Sequence, residues 1–220
     1  MTEAEWLACE DPGTMWVFLR EKAGDRKLRL FAAACCRLCC DFSSRETQVA
    51  VDTTERFADD QATEQDLSDA RAPAHSAAWQ AQAFSAAGRG PTEDDLRRLF
   101  FAAFMANVPE RLRQDEMPLL RSDPLLSRFS LPLLRDIFGN PFRAARLDRG
   151  WLTPTMIGLG AVAYAEHGLP SGLLDPARLA VLADALEDAG CTDADLLGHL
   201  RSPGPHVLGC WALDLILGKE

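Results

Sequence analysis

The chain of 220 residues is 47% hydrophobic and 25% charged, which excludes disorder and supplies apolar material for one good core or two small ones that meet. Its formal charge of −10 argues against general binding to nucleic acid or to an anionic membrane surface. Alanine, leucine and arginine are plentiful while Tyr164 is the only tyrosine, so strand-forming material is thin and helix is the default.

The start, MTEAEWLACEDPG, is acidic and interrupted by Pro12; it lacks the basic end and apolar run of a secretory signal. Thr2 with Glu5 makes a capping-box pattern, and Asp11-Pro12 puts a capping side chain before a proline at the first helical position. Helices are predicted over 3–9 and 12–22. Next come 26–42, carrying LRLFAAACCRLCC, and 44–59. Four of the seven cysteines fall within six positions of the third helix. On that helix Leu28, Phe31, Cys35, Leu38 and Phe42 share one face, while Ala32, Ala33, Cys36 and Cys40 cover the adjacent one. The helix is therefore apolar over most of its circumference, and its cysteines read as small core residues. Cys36-Arg-Leu-Cys39 matches C-x-x-C formally, but it has neither the strand-to-helix context of a redox motif nor the turn of a zinc knuckle. An odd cysteine count with adjacent members fits no disulfide framework; thiols in a cytoplasmic protein are expected.

Further helices are predicted over 64–87, 92–107, 109–116 and 124–137. The run 99–108 and the uncharged span 151–165 fall short of the roughly 20 residues a membrane helix needs. Residues 71–150 hold 12 arginines, no lysine and 9 acids, a net +3 between flanks of −7 and −6. Arginine pairs bidentately with carboxylates, so intramolecular pairing is the first reading of that middle and a partner surface the second. Pro141 and Gly150 bracket a charged stretch without helical period, so 139–153 is expected to be a joint between a helical region 1–138 and a smaller one, 154–220, packed as one compact unit.

Beyond the joint, Thr153-Pro154 and Asp175-Pro176 again mark starts. Helices are predicted over 154–167, 176–189, 193–201 and 206–217, with stops at Gly168 and Gly190. GLGAVA, residues 158–163, has the G-x-G-x-x-A form of a dinucleotide fingerprint. It follows a helix start instead of a strand, so its small residues read as close-packing positions. Asp184, Glu187 and Asp188 share one surface opposite an apolar stripe and, with Asp193 and Asp195, form a candidate acidic surface for a basic protein partner. The segment GCTDADLLGHLRSPGPHVLGCW carries Cys191, His199, His206 and Cys210. All are zinc-ligand types, with His206 and Cys210 spaced i, i+4 on the predicted last helix. The order C-x7-H-x6-H-x3-C matches no standard finger, and His206 has an alternative role as a cap or as the partner of a carboxylate such as Asp195. No G-x-S-x-G elbow, P-loop, H-E-x-x-H or EF-hand loop is present, so no catalytic residue is assigned.

The fold class expected is all-α, an irregular bundle or short α-solenoid of antiparallel helix hairpins. EAEWLACEDPGTM, DRKLRLFAAACCR, LLRDIFGNPFR and the segment from LADALEDAGC to the C-terminus resemble a module of large paralogous sets of bacterial proteins, especially of planctomycete type. Some of these carry a label taken from the yeast cell-wall-assembly regulator family, whose toxin-immunity relatives have a mixed α/β fold that the present residues do not support. The resemblance implies a bacterial cytoplasmic module for protein interaction. Three functions follow as expectations: a non-catalytic adaptor or regulatory subunit that needs no cofactor, an immunity or inhibitor protein that binds a toxin or effector, and a zinc module built on the C-terminal cluster.

Overall fold

The computed structural model describes residues 1–39, 45–73, 124–143 and 147–219. The helices expected over 92–107 and 109–116, the second half of 64–87, and Cys40 lie outside them. Among the described residues the chain is all-α, as expected, with no strand and only two isolated bridges, Gly168 to Leu173 and Leu173 to Val207. In order come α1 (Glu3–Ala8), α2 (Pro12–Leu19), α3 (Asp25–Cys39), α4 (Arg45–Ala58), α5 (Pro124–Phe138), a 3-10 turn (Arg149–Trp151), α6 (Pro154–Ala165), α7 (Pro176–Asp188), α8 (Ala194–Leu200) and α9 (Trp211–Leu217). Residues 64–73 are also helical.

The starts form where the capping residues dictate. The Thr2 backbone N–H donates to Glu5 Oε2 at 2.7 Å while Thr2 Oγ1 accepts from the Glu5 N–H at 3.3 Å, closing the capping box. Asp11, Thr153 and Asp175 each accept from the first turn of the helix they precede, and a proline opens each of these helices. Asp193 caps α8 through the Asp195 and Leu196 N–H groups, both at 3.0 Å.

Two apolar clusters follow. The first gathers α1, α2, α3, α4 and α5 around Trp6, Trp16, Phe31, Leu133, Leu134 and Ile137. Within it α3 packs against both α4 and α5, and α2 against α5. Ala32, Ala33, Cys35 and Cys36 are all fully buried, so this pair of cysteines is core material. The second cluster unites α6, α7, α8 and α9 around Leu179, Leu182, Leu186, Leu196 and Leu213. The clusters interlock: Leu30 and Ala58 belong to the second, Val207 to the first, and α9 touches α5. Buried ion pairs reinforce the seam. Arg26 forks onto Asp214 at 2.6 and 3.0 Å and donates to Asp59 at 2.8 Å, and Lys219 reaches Asp59 at 2.6 Å.

Two sequence expectations change. Gly160 does seat α6 against α9, since a Cβ there would lie 3.3 Å from Leu217, but Gly158 faces open space and has no packing role. The last helix begins at Trp211, not at 206. Gly204 and Gly209 take left-handed φ values of +85° and +88°, which a helix cannot contain, so residues 201–210 form a loop. His206 and Cys210 are therefore not a pair on one helical face.

Candidate metal centre

The loop 201–210 is held from two sides. The Leu174 N–H donates to the His206 carbonyl at 2.8 Å, and the Val207 N–H donates to Asp136 Oδ2 at 2.9 Å. His206 is thereby pressed against α5, where Asp136 stands on the buried face beside Leu133 and Ile137. His199 comes from the last turn of α8, and Cys210 is the residue before α9. The ligand atoms of Asp136, His199, His206 and Cys210 all lie within 4.8 Å of one another.

Asp136 Oδ1 is the hub, 2.8 Å from His206 Nδ1 and 3.1 Å from His199 Nε2; the latter is also 3.2 Å from Cys210 Sγ. Four ligands around a tetrahedral zinc ion at 2.0–2.3 Å would stand about 3.3–3.6 Å apart. The three contacts of 2.8, 3.1 and 3.2 Å stand within about half an ångström of that spacing, and the widest separation in the group, up to 4.8 Å, would have to close by about an ångström. It is also closed: the side chains of Asp136 and His206 are 3% and 1% exposed, that of His199 is 17% exposed, and Cys210 is fully buried.

The outer partners orient these atoms inward. His206 Nε2 lies 3.0 Å from the Ser202 carbonyl, which can only accept, so Nε2 carries a proton, and it is Nδ1 that faces the centre and would supply the lone pair once deprotonated. Asp136 Oδ2 is occupied by Val207, which leaves Oδ1 to the cluster. The His199 ring is fixed edge-on to His206 at 4.9 Å and against Trp211 at 5.1 Å. Metal-binding histidines and carboxylates are characteristically supported in this way.

The electrostatics describe a site in need of positive charge. Burial pushes the Asp136 carboxyl up, but the hydrogen bonds from His199 and His206 outweigh it and hold the group below the usual carboxylate range. Burial lowers His206 while Asp136 raises it, and the balance lies above the usual histidine value. Cys210 is pushed well above the usual thiol value by burial and by the Asp136 charge. A neutral His206 would turn one lone pair onto a carboxylate oxygen; either an imidazolium or a cation at the centre removes that repulsion.

Of the four sequence-level ligand candidates, the structure brings together His199, His206 and Cys210. Cys191 is 2% exposed in the second apolar cluster, with its N–H on the Leu186 carbonyl at 3.0 Å, and is not of the group. Asp136 stands in its place. A signal for it exists in LLRDIF: a carboxylate on the apolar stripe of an amphipathic helix must find a buried partner. The carboxylate that meets His206 is Asp136 and not Asp195.

The acidic surface is partly neutralised from within. Arg201 donates to Asp184 at 2.6 Å and to Glu187 at 2.5 Å, Asp193 is spent on the α8 cap, and Arg143 lies 3.7 Å from Asp195; Asp188 is exposed. No helix of the described residues is long and apolar enough to cross a membrane. No protein-family model, curated protein or solved structure matches the chain.

Proposed function

We propose that the protein is a helical module whose two halves are fastened by one structural transition-metal ion, zinc by its ligand chemistry. The observation that carries this is the buried set Asp136, His199, His206 and Cys210, with a backbone carbonyl or N–H orienting both Asp136 and His206. Two imidazoles, one thiolate and one carboxylate form a borderline-soft set suited to zinc. Four protein ligands leave no open coordination position, which is the structural and not the catalytic pattern. Asp136 belongs to the first half and the other three ligands to the second, so the ion would act where the two apolar clusters meet.

Elemental analysis of the purified, untagged protein tests the reading, supported by cobalt substitution. About one zinc per chain is expected, together with the visible bands of tetrahedral cobalt and a thiolate charge-transfer band. Both should be lost in Cys210→Ser combined with His206→Ala and strongly reduced in Asp136→Ala, whereas Cys191→Ser keeps them. A wild-type protein that takes up no zinc from a buffered solution refutes the reading, and a Cys191→Ser variant that loses it refutes the ligand set.

A non-catalytic adaptor role, or binding of a toxin or effector as an immunity protein, keeps one specific support. Asp193 and Asp195, with Arg143 beside the latter, line a cleft of about 550 Å³ that has Phe138, Pro141, Trp211 and Leu215 on its apolar side. Such a cleft suits a basic segment with an apolar anchor. Asp195→Lys should weaken capture of that partner without changing zinc content; unchanged capture removes this cleft from the interface.

A further inference from the structure

Lys27 is one of only three lysines in the chain, and it lies largely withdrawn from solvent. Its side chain is 18% exposed, a costly place for an ammonium group unless every proton is used. Every proton is used. Nζ donates to the Ile137 carbonyl at 3.1 Å, to the Gly209 carbonyl at 2.7 Å and to Asp214 Oδ2 at 2.5 Å. The two carbonyls belong to the residue that follows Asp136 and the residue that precedes Cys210. One cation on α3 thus grips, side by side, the backbones that present two of the four candidate ligands, although those ligands are 74 positions apart in the chain.

The grip has little slack. Gly209 has φ +88°, and a Cβ on it would lie 2.9 Å from Leu30 Cδ1 on α3, so its backbone rests directly on the helix that carries Lys27. Asp214 also accepts two bonds from Arg26, which holds the start of α9 to the same helix. An apolar side chain at position 27 would leave two buried carbonyls without a donor, and the segments bearing Asp136 and Cys210 would separate to admit water.

We propose that Lys27 is a positioning residue of the metal centre: by holding the Ile137 and Gly209 carbonyls at one point, it sets the distance between Asp136 and Cys210 and so controls how tightly the ion is bound. The inference rests on the metal reading above. Lys27 touches no ligand atom; it acts on the ligands through their backbones, as outer partners of metal sites do.

The test is zinc affinity, measured by competition with a chromophoric chelator on the full chain, for wild type, Lys27→Met, Lys27→Gln and Val51→Ala. Val51 is fully buried in the first cluster and supplies a destabilised variant on α4, an element that carries none of the four candidate ligands. Lys27→Met is expected to bind zinc about 10–100-fold more weakly. Lys27→Gln, which keeps two N–H donors for the two carbonyls, should lose less. Val51→Ala should match wild type within about twofold while melting at a lower temperature, its cavity costing stability alone. If Lys27→Met does not fold, Lys27→Gln carries the test, with a loss of several-fold expected. Wild-type affinity in the folded Lys27 variants overturns the positioning role and leaves the metal reading standing. An affinity loss in Val51→Ala as large as in Lys27→Met overturns it too, since general destabilisation would then explain both. A wild-type chain that binds no zinc overturns the metal reading and this inference with it.

Discussion

Substitution of Glu55 by alanine should cost far more than the loss of one ion pair on a surface. Arg37 is 2% exposed and Glu55 8% exposed, and the pair is bidentate at 2.7 and 2.6 Å. The guanidinium also meets Asp52, which is half-exposed, at 2.5 Å and donates to the Pro170 carbonyl at 3.0 Å. Removing one member of a buried pair leaves the other charge buried, at about 3–5 kcal/mol. Because Asp52 stays, the lower end, about 3 kcal/mol, is expected here. For a chain of this size each kcal/mol moves the melting temperature by roughly 2–4 °C, so the midpoint should fall by about 6–12 °C. Thermal unfolding followed by circular dichroism would read the change. A cycle with Arg37→Met adds the decisive comparison: the double variant should be less destabilised than the two single costs summed, with a coupling of about 1–3 kcal/mol. A midpoint shift under about 2 °C, or strictly additive singles, would refute the claim that a desolvated pair joins α3 to α4.

Gly139 has φ +60°, and a Cβ there would lie 2.8 Å from Cγ of Trp211; Gly139→Ala combines the left-handed penalty with a steric push on the indole and should cost about 2–4 kcal/mol in urea unfolding, an unchanged midpoint counting against the observed turn. Burial raises the Asp59 carboxyl, but hydrogen bonds from Lys219 and Tyr164 and the charge of Arg26 hold it below its unfolded value of 3.8. Its stabilisation is therefore complete above about pH 4 and lost as pH falls through the lowered value. Urea midpoints from pH 5 to pH 2 should fall less steeply for Asp59→Asn than for wild type, and parallel curves would contradict the sign. Arg201 bridges Asp184 and Glu187 on an exposed surface, so Arg201→Ala should leave the melting temperature unchanged within error, and a clear loss would mean that this bridge is less screened than its exposure implies.

Local chemistry was legible wherever it is decided within a turn or two of chain. Asp11, Thr153 and Asp175 before prolines start helices because a side-chain oxygen and a preset φ act on adjacent residues. LRLFAAACCR is buried because its apolar residues surround the helix whatever packs on it. The helix start at 206 was misread for the opposite reason. An apolar run from Val207 onward permits helix, and only the docking of that run between α5 and residues 168–174 gives the loop its backbone bonds to Asp136 and Leu174.

The candidate centre divides along the same line. His199, His206 and Cys210 were readable as ligands because all three lie within twelve residues of one segment, where residue type and spacing carry the signal. Sequence reasoning chose Cys191 as the fourth ligand because it is near in the chain and chemically apt. The tertiary structure chose Asp136, 63 positions before His199, because α9 packs on α5 and brings that carboxylate to the loop, while the end of α7 turns Cys191 into the apolar cluster. Helix boundaries and burial periodicity are short-range properties that composition and spacing determine. Which two distant helices face each other is set by how the two clusters interlock, and the identity of the fourth ligand and the role of Lys27 depend on that contact.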